Sequence, residues 1–316
     1  MLEILRLIRI RTLVYAVFTM CTMRYCIILP LLATWGFASP VTNGQFLLLA
    51  IAICCLVSGA YIINDYFDVK PDRVSGVRTV VVGKTVSRRA AITLHTVLNV
   101  VAVAIAFYLS YMARAWWVAL LFLLVSGLLW GYSSIFKKHF MTSYVLVAFL
   151  AALIPLSSVV YEIPFLERAY ASQTDEIELL LKDLFCDLLI FSWIVFLNTL
   201  IYEMNKDIYT MEGDRENGIK TFPVRHGVKG TRRVLTFLSV IALLSVGFLF
   251  WANFGFYWQL VLYLIVAVLL PYVIYIWAIC CKENRSLQLN LLRGLMVTSI
   301  GIGIFLMPLF KELYMF

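Results

Sequence analysis

Residues 45–72 read QFLLLAIAICCLVSGAYIINDYFDVKPD: an uncharged, largely apolar run to Ile63, then Asn64, Asp65, Asp68 and Asp72. Crossing about 30 Å of hydrocarbon takes roughly 20 apolar residues in a helix, so positions 45–63 are long enough to span a bilayer. The carboxylates that follow stand at the membrane edge. If the helix runs through Asp68, the i, i+4 and i, i+3 spacings put Asn64 or Asp65 on one face with it. Asp72 lies four residues further, beyond Pro71, where the chain can bend. Lys70, Arg73, Arg78, Lys84, Arg88 and Arg89 come close behind. Carboxylates at this pitch beside so many cations do not make a lipid-facing surface, and ionisable groups at a membrane edge mark function by default.

The rest of the chain repeats the apolar pattern. Of 316 residues, 63% are hydrophobic and 14% charged, against about 45–50% and about 25% in soluble domains. The mean hydropathy is +0.92. Further apolar segments cover about 12–37, 91–111, 115–134, 142–161, 184–203, 234–254, 257–280 and 290–310. Ser39-Pro40, Asn43-Gly44 and Asn253-Phe254-Gly255 punctuate the gaps. The expectation is an all-α membrane protein whose nine transmembrane helices form a single bundle over residues 1–316. The first segment continues past Arg24 without a small-residue cleavage site, so it is expected to be a retained helix rather than a signal peptide.

Charge orients the bundle. With the N-terminus in the cytoplasm, 21 of the 26 Lys and Arg fall in cytoplasmic segments, as the positive-inside rule requires. Nine crossings then leave the C-terminus outside. The net charge of +8 is thereby explained without nucleic acid, and no basic stripe with interleaved aromatics suggests such a partner. The expected setting is a multi-pass integral protein of a bacterial plasma membrane. The acidic stretch 162–183 is read as an outer loop without chemistry, with a short surface helix from Glu176 to Asp187. The seven cysteines lack zinc spacing and read as small apolar fillers. His95, His139 and His226 read as ordinary surface or boundary residues.

A second acidic group closes the sixth segment: Glu203, Asp207, Glu212 and Asp214. Glu203 and Asp207 are four apart and Asp214 lies seven further on, compatible with one helical face. Both groups end even-numbered segments, hence one side of the membrane. Asp65 and Asp207 stand 142 positions apart, which suggests an internal repeat of segments 1–4 and 5–8. Mg²⁺ prefers oxygen ligands and is usually held by one or two carboxylates with substrate phosphates and waters. Two facing carboxylate groups suit metal ions bridging a diphosphate, with nearby Lys and Arg on its free oxygens. Metals there neutralise charge on a leaving group; an allylic diphosphate would ionise, and an acceptor would capture the carbocation.

The pattern Asn64-Asp65-x-x-Asp68-x-x-x-Asp72 resembles the first signature of the UbiA-type prenyltransferase superfamily. Lys206-Asp207, Gly213-Asp214 and Gly218-Ile219-Lys220-Thr221 resemble its second, and Tyr132-Ser133 with Lys137-Lys138 a third match. Among its branches, Glu203…Lys206-Asp207…Gly213-Asp214 is most similar to the digeranylgeranylglyceryl-phosphate synthases. The resemblance implies that Asp65, Asp68, Asp72, Asp207 and Asp214 bind Mg²⁺ and diphosphate, and that Tyr132 and Lys137 contact the diphosphate. Asn64, Arg78, Lys206 and Lys220 complete the expected diphosphate-binding set. The isoprenoid tail is expected in a groove open to lipid. Family acceptors are aromatic quinone precursors, tetrapyrroles or glycerol phosphates; here a glycerol-phosphate lipid or a quinone precursor is expected, with Asn198, Tyr202 and Arg24 as acceptor-side residues. The chain departs from the pattern at three places: Tyr202 stands where Arg is usual, Thr210 where Asp is expected, and Ser143-Tyr144 where Gly-Asn is common. Two other readings compete: a transporter or flippase, whose sites usually lie near the midplane, and an inactive isoprenoid-binding homologue.

Overall fold

The computed structural model describes residues 2–70, 80–138, 141–254 and 264–281. A short helix α1 (Leu2–Leu7) leads into α2 (Ile10–Thr22), a π-helical turn (Met23–Ile28) and α3 (Leu29–Thr34). Then follow α4 (Asn43–Phe67), α5 (Arg88–Ala113), α6 (Trp117–Ser134), α7 (Thr142–Ala169), α8 (Thr174–Glu216), α9 (Phe222–Phe254) and α10 (Leu270–Cys281). Among the described residues, seven helical stretches are long and apolar enough to cross a membrane, α2 to α3 counting as one. The ninth expected segment and part of the eighth lie outside the described residues, as does the C-terminus.

Local chemistry sets several boundaries. Thr42 caps α4 through a capping box: its hydroxyl accepts the Gln45 N–H at 3.3 Å, and the Gln45 side-chain Oε1 accepts the Thr42 N–H at 2.8 Å. That box overrides the turn expected at Asn43-Gly44, which instead open the helix. Ser87 Oγ accepts the Ala90 N–H at 3.1 Å and starts α5. Pro30 stands in the first turn of α3; it has no N–H for the preceding turn, and the helix widens into its π turn just there.

The cores lie between the helices. Leu49, Ala52, Ile53 and Leu56 of α4 pack with Ala102, Ala106 and Leu109 of α5 and with Val118 and Phe122 of α6. Ile194, Leu197, Ile201 and Met204 of α8 pack with Leu235 and Ala242 of α9 and Tyr272 and Tyr275 of α10. Meanwhile Val97, Val100, Phe107, Leu120, Leu124 and Leu244 are exposed. So much apolar surface outside a packed core needs hydrocarbon around it. The chain is an integral, multi-pass, nearly all-helical membrane protein.

Two expectations are corrected. The stretch 162–183 is not a loop: α7 runs to Ala169, α8 starts at Thr174, and the expected surface helix is the first part of the 43-residue α8. Glu162 within it is fully buried and pairs with Arg24 at 3.2 Å, while Arg24 also donates to the Val41 carbonyl at 2.5 Å and Ser39 donates to Glu162. Arg24, expected on the acceptor side, is instead buried in an ion pair. A charge on one helix satisfies a charge on another, at the end of the bundle where α3 gives way to α4.

Candidate functional site

The opposite end of the bundle gathers the acidic groups. Asn64 and Asp65 lie in the last turn of α4 and Asp68 is its C-cap. The Asn64 amide donates to Asp68 Oδ2 at 2.8 Å, confirming the i, i+4 geometry. Lys137, just beyond α6, donates to the same carboxylate and to Asn64 Oδ1 at 3.3 Å. Asp68 is buried, and a buried carboxylate persists when it is both paired and hydrogen-bonded. Tyr132 is half-buried in the last turn of α6.

Asp65 has a partner that the sequence did not advertise. Arg9 Nη2 donates to Asp65 Oδ1 at 2.9 Å, and the guanidinium lies 4.2 Å from the centroid of the Tyr61 ring. Arg9 adopts the left-handed conformation (φ 52°) where α1 ends and α2 begins. Burial opposes its charge, but Asp65, with Tyr61 and Glu203 behind it, more than offsets this and holds the guanidinium above its ordinary pKa. Arg9 had counted only as an orienting charge.

The second group lies along one stripe of α8: Glu203, Asp207, Thr210 and Asp214 follow at i, i+4, i+7 and i+11. Lys206 pairs with Glu203 and stands 3.9 Å from Asp207 Oδ1. Tyr144, in the first turn of α7, donates its hydroxyl to Asp207 Oδ2 at 2.7 Å and accepts the Phe222 N–H at 3.1 Å. Thr210 donates to Asp214 Oδ2 at 3.1 Å. Glu212 is exposed, on another face as its spacing implied, and does not make up for Thr210. Lys220, in the turn between α8 and α9, is exposed.

The two groups are within electrostatic reach of one another. The Phe136–Lys138 turn carries Lys137 beside Asp68 and packs against α7, whose Tyr144 bonds Asp207. Tyr202 immediately precedes Glu203 in α8 and so lies on this side. Asn198 does not point here. Its Oδ1 accepts the Tyr272 hydroxyl of α10 at 2.6 Å, on a face of α8 turned away from the Asp207 stripe. Arg24 is likewise at the far end. His95, expected as a boundary residue, joins helices: its Nδ1 lies 2.9 Å from the Gly59 carbonyl. Asp72 and Arg78 lie outside the described residues.

The donor set suits Mg²⁺ of a particular kind. Among the described residues no three His, Cys, Asp or Glu converge as a ready-made metal cage. Each carboxylate is held instead by a cation, an amide or a hydroxyl. Hard oxygen donors at two helix ends, with Lys and Arg between them, fit an ion that completes its coordination with substrate phosphates and waters.

The chain matches the model of the UbiA prenyltransferase family over residues 12–293. It is 25% identical over 280 residues to a digeranylgeranylglyceryl phosphate synthase of Korarchaeum cryptofilum (strain OPF8), covering 88% of this chain and 89% of the relative. In structure it resembles the apo form of a UbiA homologue from Aeropyrum pernix K1 with a TM-score of 0.65 at 16% identity, over 91% of this chain and 96% of that one. It also resembles a UbiA homologue from Archaeoglobus fulgidus bound to DMAPP and Mg²⁺, with a TM-score of 0.59 at 17% identity, over 97% and 99% of the two chains. The chain belongs to the UbiA prenyltransferase family.

Proposed function

We propose, from that membership, that this membrane prenyltransferase moves a prenyl group from an isoprenyl diphosphate to a glycerol-phosphate lipid at the cytoplasmic face of the membrane. One observation carries the reading: two carboxylate groups from helices far apart in sequence stand at the same end of an apolar bundle, the first with Arg9 and Lys137 beside it and the second with Lys206. Of the two acceptor classes expected, the glycerol phosphate is favoured by the named relative, a digeranylgeranylglyceryl phosphate synthase. A structural neighbour bound to DMAPP and Mg²⁺ supports the donor and the ion.

Asp65, Asp68, Asp207 and Asp214 would hold Mg²⁺ together with the diphosphate, and Asp72 is the fifth carboxylate in the proposed set. Mg²⁺, when bound, supplies positive charge that stabilises the departing diphosphate. The chain's own cations do the same work. Lys137 lies beside Asp68 and Asn64, Lys206 beside Glu203 and Asp207, and Arg9 beside Asp65; together with Tyr132 they would orient a polyanion among them. Arg78 and Lys220 belong to the same proposed diphosphate-binding set. The bond that breaks joins the allylic carbon to the diphosphate oxygen, and its electron pair leaves with the diphosphate. The acceptor hydroxyl then forms the new C–O bond, and its proton passes to the released diphosphate. Tyr202 is the residue we assign to the acceptor side.

The orientation, with nine helices, a cytoplasmic N-terminus and an outer C-terminus, is part of the proposal, as is a single bundle of two repeated halves. Its support is the basic N-terminal segment on the same end as the site. Purified protein given geranylgeranyl diphosphate, Mg²⁺ and either geranylgeranylglyceryl phosphate or dihydroxynaphthoate tests the acceptor. A prenylated glycerol phosphate by mass spectrometry is expected. A product only with dihydroxynaphthoate would move the enzyme to quinone precursors, and donor binding without turnover on any acceptor would favour the inactive homologue that Thr210 suggests.

A further inference from the structure

The departures from the family pattern at Tyr144 and Thr210 come together in the structure. Each puts a hydroxyl on one oxygen of a carboxylate in the α8 stripe: Tyr144 on Asp207 Oδ2 at 2.7 Å and Thr210 on Asp214 Oδ2 at 3.1 Å. Both hydroxyl-bearing residues are buried. A phenol has a single proton to donate. Because Tyr144 Oη accepts the Phe222 N–H at 3.1 Å, that proton is directed to Asp207 rather than to the backbone. The ring is set in the core between α7, α8 and α9, in contact with Ile201, Met204 and their neighbours. Asp207 therefore has one oxygen committed to the protein, while the other, Oδ1, faces Lys206 at 3.9 Å.

We propose that Tyr144 is a positioning residue for the diphosphate site: it holds the Asp207 carboxylate so that Oδ1 alone is offered to the metal-bound diphosphate, and it ties that carboxylate to the start of α9. Thr210 does the same for Asp214 from within α8. Where an additional carboxylate would add charge at position 210, this chain instead orients the charges it has. The phenol at position 144 also links the turn carrying Lys220 to Asp207, because the Phe222 N–H it accepts closes that turn. The inference rests on the diphosphate-binding reading above and extends it to two residues at which the chain departs from the family pattern.

The test uses Mn²⁺ in place of Mg²⁺, so that binding is read by electron paramagnetic resonance without turnover. Purified full-length protein is titrated with Mn²⁺ in the presence and absence of a non-ionisable thio-analogue of geranylgeranyl diphosphate. Tyr144→Phe keeps the ring and removes the hydroxyl. It is expected to raise the half-saturating Mn²⁺ concentration roughly tenfold, the scale of a hydrogen bond to a charged group. In an Asp207→Asn background the same change is expected to have little further effect, since Tyr144 acts through Asp207. Thr210→Val, a hydroxyl removed at a separate site, is expected to shift binding in the same direction.

An unchanged Mn²⁺ curve for Tyr144→Phe, with diphosphate-dependent binding intact in the unsubstituted protein, overturns the proposal and leaves the site reading standing. An equal loss in the Asp207→Asn background also overturns it, because the phenol would then act on the fold at large. Should Tyr144→Phe fail to fold, Thr210→Val decides: no shift there refutes the oriented-carboxylate idea. If the unsubstituted protein binds no Mn²⁺ in response to the diphosphate, the diphosphate site itself fails and the positioning role with it.

Discussion

Asp68 is buried at the end of α4, and its environment shows what the site is built to do. Lys137 and Asn64 share its Oδ2, so a polyanion arriving at this carboxylate meets a cation and an amide already in place. Replacing Asp68 by Asn keeps the shape and removes the charge; diphosphate release is expected to fall at least a hundredfold, with the chromatographic profile of the detergent-solubilised protein unchanged. Lys137→Met removes the cation and is expected to raise KM for the prenyl diphosphate about tenfold or more, measured in initial-rate assays, because hydrogen bonds to charged groups are worth about 1.5–3 kcal/mol. The motif carboxylates and Lys137 were legible because their spacing is helical and their chemistry distinctive. Arg9 was not, since nothing in a linear sequence announces that a left-handed residue between two short helices reaches a carboxylate 56 positions away. Tyr144 was visible only as a departure from pattern; its role needed the fold that brings α7 against Asp207.

At the scale of the elements, apolar length located the crossings well and their ends poorly. α7 and α8 continue past the apolar windows because polar groups on them are satisfied by other helices, which hydropathy cannot register. The Arg24–Glu162 pair is the clearest case: Arg24 read as an acceptor-side residue and Glu162 as part of an outer loop, yet both are buried and joined across the bundle. Removing one partner of such a pair strands the other charge and costs about 3–5 kcal/mol, whereas replacing both with apolar residues of similar volume is often neutral or stabilising. Arg24→Met alone is therefore expected to lower thermal stability in detergent sharply, and Arg24→Met combined with Glu162→Leu to recover most of it. Neither variant is expected to alter KM for the diphosphate, because the pair lies at the far end of the bundle. The capping box on α4 is a smaller contribution: Thr42→Ala is expected to cost about 1 kcal/mol, read as a modest fall in the unfolding midpoint.

At the scale of the whole molecule, a bundle with apolar flanks and its paired carboxylate groups at one end fixes where chemistry can occur. α5 and α6 present Val97, Val100, Leu120 and Leu124 outward, while Asp65, Asp68, Asp207 and Asp214 lie together beside basic segments. Charge counting made that polarity legible before any coordinates, since each basic cluster falls on alternate turns of the chain; the packing that turns Asn198 toward α10 was not, because helical phase alone does not say which neighbour a face meets. In a cysteine-free background, Lys220→Cys is expected to react with an impermeant maleimide only from the cytoplasmic side of oriented vesicles, and Gln173→Cys, exposed in the turn before α8, only from the other. The most direct test of prenyl transfer at the paired carboxylates is diphosphate release from geranylgeranyl diphosphate with geranylgeranylglyceryl phosphate present, measured with and without Mg²⁺ for the unsubstituted protein, Asp68→Asn and Asp207→Asn. Release that requires Mg²⁺ and is lost in both variants, with a prenylated product in equal amount, is the predicted result; full release from either variant, or release that ignores Mg²⁺, would contradict it.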